Sequence, residues 1–275
     1  FRRVLFRSRT AKLSALNNQQ FMRILVIGEH CLDVFEYGSC TRLNPEAPTP
    51  VFVSGQKITN DGMAANVLAN IKSLLPEAEI KFIKQAGGDI IKHRYVDKAS
   101  NYILLRVDHD GPADPLELDW RILDRVYEAD IVVVSDYCKG FLSTKTLEEI
   151  AKAAKVSFLD TKKPLGYWAR GFSWIKINSK EWENPNHDPE FLRDFGFKII
   201  VTLGDKGARI GKVEIEPEKK VEVKDVSGAG DSFLAGLVAS YSKNRDLDVA
   251  IRFANHCAGV AVSKRGVVSE IHTAI

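Results

Sequence analysis

The feature that most constrains the fold of this 275-residue chain is a repeated alternation of short apolar runs with longer amphipathic stretches. Buried strands are predicted for RILVIG (Arg23–Gly28), DIVVVS (130–135) and WIKIN (Trp174–Asn178), because these runs are short and rich in β-branched residues. Strands that alternate with helices form right-handed βαβ units around a mainly parallel sheet. We therefore predict an α/β fold with its ligand-binding residues just after the strand ends.

Other segments extend this alternation. Further strands are predicted for 156–160, 198–204 and 219–223, and helices for 61–75, 144–154, 232–242 and 247–264. Asp61 is placed to cap the first of these helices. Residues 22–275 are predicted to form one domain.

Two stretches interrupt the alternation, 50–58 (PVFVSGQKI) and 93–108 (HRYVDKASNYILLRVD). Their patterning is half polar, which is typical of a small sheet that is not buried on both faces. An edge hairpin and a β-flap over a binding site both fit this pattern. The domain is therefore expected to carry flap segments near 45–60 and 93–108.

The charge distribution argues against nucleic-acid binding. The net charge is +3, but residues 1–21 hold five basic residues and no acid. Without these five, the 39 basic residues fall to 34 against 36 acidic ones, so the remainder is mildly acidic. No run of about 18 apolar residues occurs, so no membrane span is predicted.

The first 21 residues differ from the rest of the chain. They lack the apolar core and cleavage site of a signal peptide, and we interpret them as a non-native or disordered tail. An Arg-rich targeting peptide is the alternative. The four cysteines show no C-x-x-C spacing, which is typical of reduced thiols in a cytoplasmic protein, and the six histidines form no zinc motif.

The strongest chemical signal is DVSGAGD at residues 225–231, at the start of a predicted helix. The small residues Gly228, Ala229 and Gly230 allow a ligand to approach the backbone, and N–H groups at a helix N-terminus favour anions. Asp231, in the first turn, could accept a proton from a hydroxyl that attacks a bound phosphate. An isolated G-x-G-D is more often a turn with a helix cap, but this context favours catalysis. The sequence contains no Walker A motif.

DVSGAGDSF resembles the C-terminal signature of the PfkB sugar kinases, D-[TS]-x-G-A-G-D-x-F. The resemblance implies a ribokinase-like fold, ATP and Mg²⁺ as cofactors, Asp231 as catalytic base and residues 228–230 as the anion hole. Asp225 and Ser227 match positions that help to hold a monovalent cation in many relatives, which implies K⁺ as a further cofactor.

Two more motifs follow the order of that family. VTLGDKG (201–207) matches T-x-G-x-x-G, and NSKE (178–181) matches N-x-x-E, in which Glu181 would order Mg²⁺-bound water. The last predicted helix is similar to the one beside the adenine. The resemblance therefore implies that ATP contacts Asn178, Thr202, Gly204, Gly207, Asn255 and Gly259.

The N-terminal half bears on the sugar. RLNPEAPTPV (42–51) resembles a segment of the kinases of bacterial heptose phosphate biosynthesis. That resemblance implies phosphorylation of the 1-hydroxyl of D-glycero-β-D-manno-heptose 7-phosphate. Asp33 and Asn66 match sugar-contacting positions of the family, and Gly62 matches one position of a glycine pair that closes on the sugar in relatives. Asp136 and Lys139 could also face the site. The candidates for the cation that binds the 7-phosphate are Arg42, Lys57, Lys84 and Arg106, and the last of these is the one assigned to the substrate.

Three positions depart from the family pattern: Asp61 replaces a glycine, Glu29 replaces an aspartate, and the chain is short between residues 85 and 93. They leave two rival interpretations: a PfkB kinase for another sugar or a nucleoside, and a sugar- or nucleotide-binding protein without turnover. Relatives often carry a nucleotidyltransferase domain with an H-x-G-H motif. That motif is missing here, so a separate nucleotidyltransferase is expected as partner, together with a homodimer formed through the flap.

Overall fold

The structure is a computed structural model that describes residues 21–87 and 89–264. Its strands are β1 (Arg23–Gly28), β2 (His30–Leu43), β3 (Pro50–Met63), β4 (Glu79–Ile83), β5 (Ile90–Asp97), β6 (Ile103–Asp110), β7 (Ile131–Asp136), β8 (Ser157–Thr161), β9 (Trp174–Asn178), β10 (Ile199–Thr202), β11 (Ala208–Ile210) and β12 (Val213–Ile215). Its α-helices are α1 (Ala64–Leu74), α2 (Trp120–Glu128), α3 (Thr144–Ala153), α4 (Ser179–Trp182), α5 (Pro189–Phe195), α6 (Ala229–Asn244) and α7 (Leu247–Val262).

The main sheet has eight strands in the order β12-β11-β10-β9-β8-β7-β1-β4. Six neighbouring strands of this sheet pair in parallel, and these are β10, β9, β8, β7, β1 and β4. Strands β11 and β12 add antiparallel pairs at one edge. The prediction of an α/β fold with a mainly parallel sheet is confirmed. The carboxyl ends of the parallel strands meet at one edge of the sheet, where α/β proteins bind ligands.

Helices cover both faces of this sheet, because alternate residues of each buried strand enter opposite cores. In β1, Ile24 and Val26 pack in the core that contains apolar residues of α1, α6 and α7, whereas Leu25 and Ile27 pack on the side of α2, α3 and α5. All four side chains are at most 2% exposed. Each such side chain contributes about 1.5–3 kcal/mol when it is fully buried.

The second sheet has four strands in the order β3-β2-β5-β6. It contains both of the segments predicted as flap, and it extends further than predicted, since β2 begins at His30 and β3 continues to Met63. Strand β2 pairs with β3 and with β5, so it forms the interior of the flap. Its polar and apolar residues do not alternate regularly, and the sequence prediction missed it.

Two local predictions were wrong. The helix expected at 61–75 begins at Ala64, because β3 continues through Asp61. Asp61 therefore does not cap the helix, and its carboxylate contacts His30 Nε2 at 2.7 Å instead. The strand expected at 219–223 is irregular backbone. The predicted tail lies outside the described residues except for Phe21.

Within the two described ranges, no helix combines the length and the apolar character that a membrane span requires.

Candidate active site

Helix α6 places the candidate base and the candidate anion hole at one point. Gly228 lies at the N-cap position with φ of +77°, a left-handed conformation that glycine adopts without strain. Asp231 lies in the first turn and is 7% exposed. The Ala229 N–H donates to the Val226 carbonyl at 3.3 Å, so this turn is already folded tightly onto itself.

Both carboxylate oxygens of Asp231 accept hydrogen bonds. Asn66 Nδ2 donates to Oδ2 at 2.8 Å, and the Tyr137 hydroxyl donates to Oδ1 at 2.7 Å. Burial raises the pKa of Asp231 above its ordinary value, while these two hydrogen bonds oppose that rise. The structure therefore brings the predicted base together with Asn66, which comes from α1 and is far away in the sequence. The sequence analysis assigned no role to Tyr137.

A polar cleft of about 120 Å³ opens beside Asp231. Its wall includes a buried ion pair that the sequence analysis missed, between Lys176 Nζ on β9 and Asp160 Oδ2 on β8, 2.8 Å apart. A Cβ added to Gly230 would lie 3.0 Å from Lys176 Nζ, so this ammonium group lies against the predicted anion hole. Asp136 and Gly228 line the same cleft. A lysine between Ile175 and Ile177 in a buried strand was the signal that could have found it.

A second, mostly apolar pocket of about 430 Å³ adjoins the first, since Gly230 lines both. All but one of the residues predicted to contact ATP line it, and these are Thr202, Gly204, Gly207, Asn255 and Gly259. Gly207 has φ of +87°, and a Cβ there would lie 2.3 Å from the Ile215 carbonyl oxygen. Asn255 Nδ2 donates to the same oxygen at 2.8 Å. The pocket has the size and apolar lining of a small-molecule site.

The sixth predicted ATP contact, Asn178, lines the polar cleft. It forms a reciprocal capping box with Glu181: Glu181 N donates to Asn178 Oδ1 at 2.9 Å, and Asn178 N donates to Glu181 Oε2 at 2.7 Å. The other oxygen of Glu181 lies 3.4 Å from Lys162 Nζ. Glu181 is thus oriented at the rim of the cleft.

The residues of the cleft suit Mg²⁺ held chiefly by phosphates and water. Among the described residues, no three His, Cys, Asp or Glu side chains form a metal cluster. Besides the candidate base, three carboxylates nevertheless line the cleft, and Mg²⁺ prefers oxygen ligands while it keeps several waters; they are Asp136, Asp160 and Glu181. The predicted monovalent-cation residues, Asp225 and Ser227, lie in the turn before α6, where Ser227 N donates to Asp225 Oδ1 at 2.8 Å.

On the flap side, the predicted sugar ligand Asp33 is 4% exposed and forms a salt bridge of 2.5 Å with Arg94 Nη1. Gly62 lies directly beside it, because a Cβ on Gly62 would lie 2.1 Å from Asp33 Oδ2 and 2.6 Å from Cys31 Sγ. The sequence analysis did not assign Arg94. Arg94 lies two residues after Lys92 in β5, so the two side chains point to the same face of the strand. This alternation was the only signal that could have suggested Arg94.

The remaining sequence candidates lie around this arrangement. Arg106 is opposite Arg94 in the β5–β6 register, and its guanidinium forms two hydrogen bonds with Asp108, at 2.6 and 2.7 Å. Lys57 Nζ lies 3.4 Å from Glu36. Lys139 Nζ contacts Asp110 at 2.7 Å. Arg42 and Lys84 are exposed.

The family model of the pfkB family carbohydrate kinases matches residues 107–274, which is more than half of the chain. This chain belongs to the PfkB family. It is therefore a sugar kinase, as the resemblance of DVSGAGDSF implied.

Curated relatives of this PfkB kinase carry the name bifunctional protein HldE. That of Bradyrhizobium diazoefficiens is 32% identical over 88% of this chain and 60% of the relative. Those of Rhodopseudomonas palustris and Nitratiruptor sp. are each 31% identical, over 94% and 90% of this chain, and 63% of each relative is covered. The chain thus spans about three fifths of the length of these relatives.

Solved structures confirm the ribokinase-like fold of this PfkB kinase. Ribokinase from Thermotoga maritima superposes with a TM-score of 0.66 at 17% identity, over 90% of this chain and 95% of that one. The Arabidopsis thaliana ribokinase complexed with ribose and ATP gives a TM-score of 0.66 at 16% identity, over 90% and 94% of the chains. At such identities the likeness concerns the fold alone.

Proposed function

We propose that this PfkB kinase transfers the γ-phosphate of ATP to the 1-hydroxyl of D-glycero-β-D-manno-heptose 7-phosphate. The observation that carries the proposal is the position of Asp231, a buried carboxylate that lines the polar cleft and accepts a hydrogen bond from Asn66, next to Gly230, which also lines the apolar pocket. The heptose assignment is supported by the segment RLNPEAPTPV (42–51) and by the relatives that match about nine tenths of the chain.

In this proposal Asp231 accepts the proton of the attacking hydroxyl, because its carboxylate lies in the first turn of the helix whose N-terminus faces the phosphate. The backbone N–H groups of Gly228 and Gly230 would stabilise the negative charge that spreads over the transferred phosphoryl group, and the Ala229 N–H would join them by exchanging the Val226 carbonyl for a phosphate oxygen. Lys176 adds a positive charge at the same place, since its ammonium group lies beside Gly230.

The apolar pocket would hold the nucleotide, with Asn255 and Gly259 near the base and Thr202, Gly204 and Gly207 near the phosphates. Mg²⁺, when bound, would neutralise the phosphate oxygens, and Asn178 and Glu181 would orient its waters. Asp225 and Ser227 would hold K⁺ behind the anion hole. These assignments follow the family resemblance, and the residues assigned to the nucleotide and to the Mg²⁺ waters also line one of the two pockets.

On the sugar side, Asp33 would accept hydrogen bonds from the sugar hydroxyls, and Asn66 would donate hydrogen bonds to them. The Arg94 salt bridge fixes the orientation of the Asp33 carboxylate, and Gly62 leaves room for it. Arg106 is proposed as a substrate contact because it neighbours Arg94 in the flap. A homodimer through the flap also remains a prediction. Exposed apolar side chains on the two edge strands support it, namely Val53, Ile103 and Leu105.

The proposal is tested by ADP release from Mg-ATP with a panel of acceptors: the heptose 7-phosphate, fructose 6-phosphate, ribose, fructose and adenosine. We expect turnover with the heptose 7-phosphate and little with the others. Turnover with another acceptor instead would show that the chain is a kinase whose substrate is that acceptor and not the heptose phosphate. ATP binding without ADP release from any acceptor would favour a binding protein without turnover.

A methyl group at position 62 should weaken sugar binding. In Gly62→Ala the added Cβ would collide with the Asp33 carboxylate, which Arg94 holds in place. Displacing a charged hydrogen-bond acceptor of the sugar should raise the KM for the acceptor about 10-fold or more. The KM for ATP should change little, because Gly62 lies on the flap side. Initial rates at varied acceptor and fixed ATP measure this.

Gly196→Ala is the matched control, since its φ of −59° is helical and no atom lies within 4 Å of its added Cβ. An unchanged acceptor KM in Gly62→Ala would remove Asp33 from the sugar site.

A further inference from the structure

The turn that follows β7 is held by a buried carboxylate. The Tyr137 and Lys139 N–H groups donate to the two oxygens of Glu29, at 2.8 and 3.0 Å. Cys138, between them, has φ of +58°, which is uncommon for a residue other than glycine. Glu29 itself is fully buried at the end of β1. Glu29, which follows β1, thus holds the turn that follows β7, and Tyr137 is the first residue of that turn.

The Tyr137 side chain extends from this turn to the candidate base. Its hydroxyl donates to Asp231 Oδ1 at 2.7 Å. Two ammonium groups lie near its ring, Lys92 Nζ at 5.4 Å and Lys162 Nζ at 4.7 Å from the ring centre. Lys92 belongs to the flap, and Lys162 follows β8 at the edge of the polar cleft. The ring therefore lies between the flap and the polar cleft.

We propose that Tyr137 is a positioning residue for Asp231, and that Glu29 fixes the turn from which it acts. The inference rests on the proposed role of Asp231 as base, but it does not depend on which sugar is phosphorylated. Tyr137 holds one carboxylate oxygen while Asn66 holds the other, so the carboxylate can neither rotate nor turn away from the acceptor hydroxyl. An ionised carboxylate oxygen can accept more than one hydrogen bond, which leaves room for that hydroxyl.

Tyr137 also favours the ionised form of the base, because it donates to the carboxylate. Its own pKa is raised well above the ordinary value, by burial first and then by the charge of Asp231, so the hydroxyl remains a donor. Asp231 is also faced by charged or titratable groups on four other strands, and these are Cys31, Lys92, Asp160 and Lys176. None of them supplies the hydrogen bond that Tyr137 makes to Oδ1.

Tyr137→Phe removes only this hydroxyl and keeps the ring. We expect kcat to fall roughly 10- to 100-fold, the usual value of a hydrogen bond to a charged group, with the KM for ATP little changed. Loss of the donor raises the pKa of Asp231, so the base is protonated up to a higher pH. The acid limb of the kcat–pH profile should therefore move to higher pH. A residue that only supported the fold would lower stability without moving that limb.

Tyr167→Phe is the matched control, because the Tyr167 hydroxyl makes the same 2.7 Å bond to a carboxylate, that of Asp194, on the exposed surface. It should leave kcat and the pH profile unchanged.

A second measurement does not require a sugar substrate. In protein labelled with ¹³C at the aspartate carboxyl, the Asp231 signal is the one that disappears in Asp231→Asn, and its shift against pH gives the pKa. We expect this pKa to be higher in Tyr137→Phe than in wild type. An unchanged Asp231 pKa, or an unmoved acid limb in an active enzyme, overturns the inference. If wild type phosphorylates no acceptor, the proposed function fails while the carboxyl titration still decides the role of Tyr137.

Discussion

Asp231→Asn should lower kcat by about 10²–10⁴-fold, the range that general-base catalysis supplies. Asparagine has the size of aspartate, and its amide oxygen can still accept the hydrogen bond from Asn66. It cannot accept the proton of the attacking hydroxyl, so the fold and the nucleotide pocket should survive while the chemistry fails. Steady-state ADP release measures kcat, and calorimetric titration with ATP measures the retained binding.

The matched control is Asp194→Asn, because Asp194 also accepts a hydrogen bond from a tyrosine hydroxyl but lies on the exposed surface. It should behave as wild type. Near-normal turnover by Asp231→Asn would mean that another group takes the proton, and the assignment of the base would be wrong.

Lys176→Met should have the largest effect on stability. Lys176 and Asp160 form an ion pair whose side chains are 6% and 13% exposed, and removing one partner of such a pair costs about 3–5 kcal/mol. The remaining Asp160 carboxylate, already raised in pKa by burial, loses the ammonium group that opposes the rise. When the pKa of a carboxyl is higher in the folded than in the unfolded protein, the folded state becomes less stable as the pH rises above the unfolded-state pKa. The deficit should therefore grow from acidic to neutral pH. Urea unfolding at several pH values measures it.

Two variants complete this experiment. Lys176→Met/Asp160→Leu replaces both charges with apolar groups and should recover most of the lost stability, because no buried charge is left without a partner. Arg252→Met breaks an exposed pair with Asp248 on α7 and should leave the unfolding midpoint nearly unchanged. If Lys176→Met alone unfolds at the same urea concentration as wild type, the pair does not stabilise the fold.

The α/β architecture was predictable from the sequence because the buried strands are short apolar runs, rich in β-branched residues, that alternate with helical patterns. Arg23–Gly28 and Trp174–Asn178 were predicted with the bounds that the structure has. The glycine-rich turn before α6 was predictable for a similar reason, since a backbone at φ of +77° requires a residue such as Gly228. These features depend on local sequence alone.

What the sequence could not predict depends on contacts between distant segments. Aspartate is a residue type that often caps helices, but β3 extends through Asp61 because this part of β3 pairs with the flap strand β2. Tyr137 is 94 residues from Asp231, and only the folded chain shows that its hydroxyl reaches the carboxylate. Arg94 meets Asp33 across the β2–β5 pairing, which joins segments 61 residues apart. No pattern within one segment indicates such pairs.

The most direct test of the proposed reaction is ³¹P NMR of a mixture of this kinase, Mg-ATP and D-glycero-β-D-manno-heptose 7-phosphate. We expect the γ-phosphate signal to decline while a second sugar phosphate signal grows, split by coupling to the anomeric proton. Asp231→Asn should form this product far more slowly. A product phosphorylated at any other carbon, or release of inorganic phosphate with no new sugar phosphate, would rule out the proposed reaction.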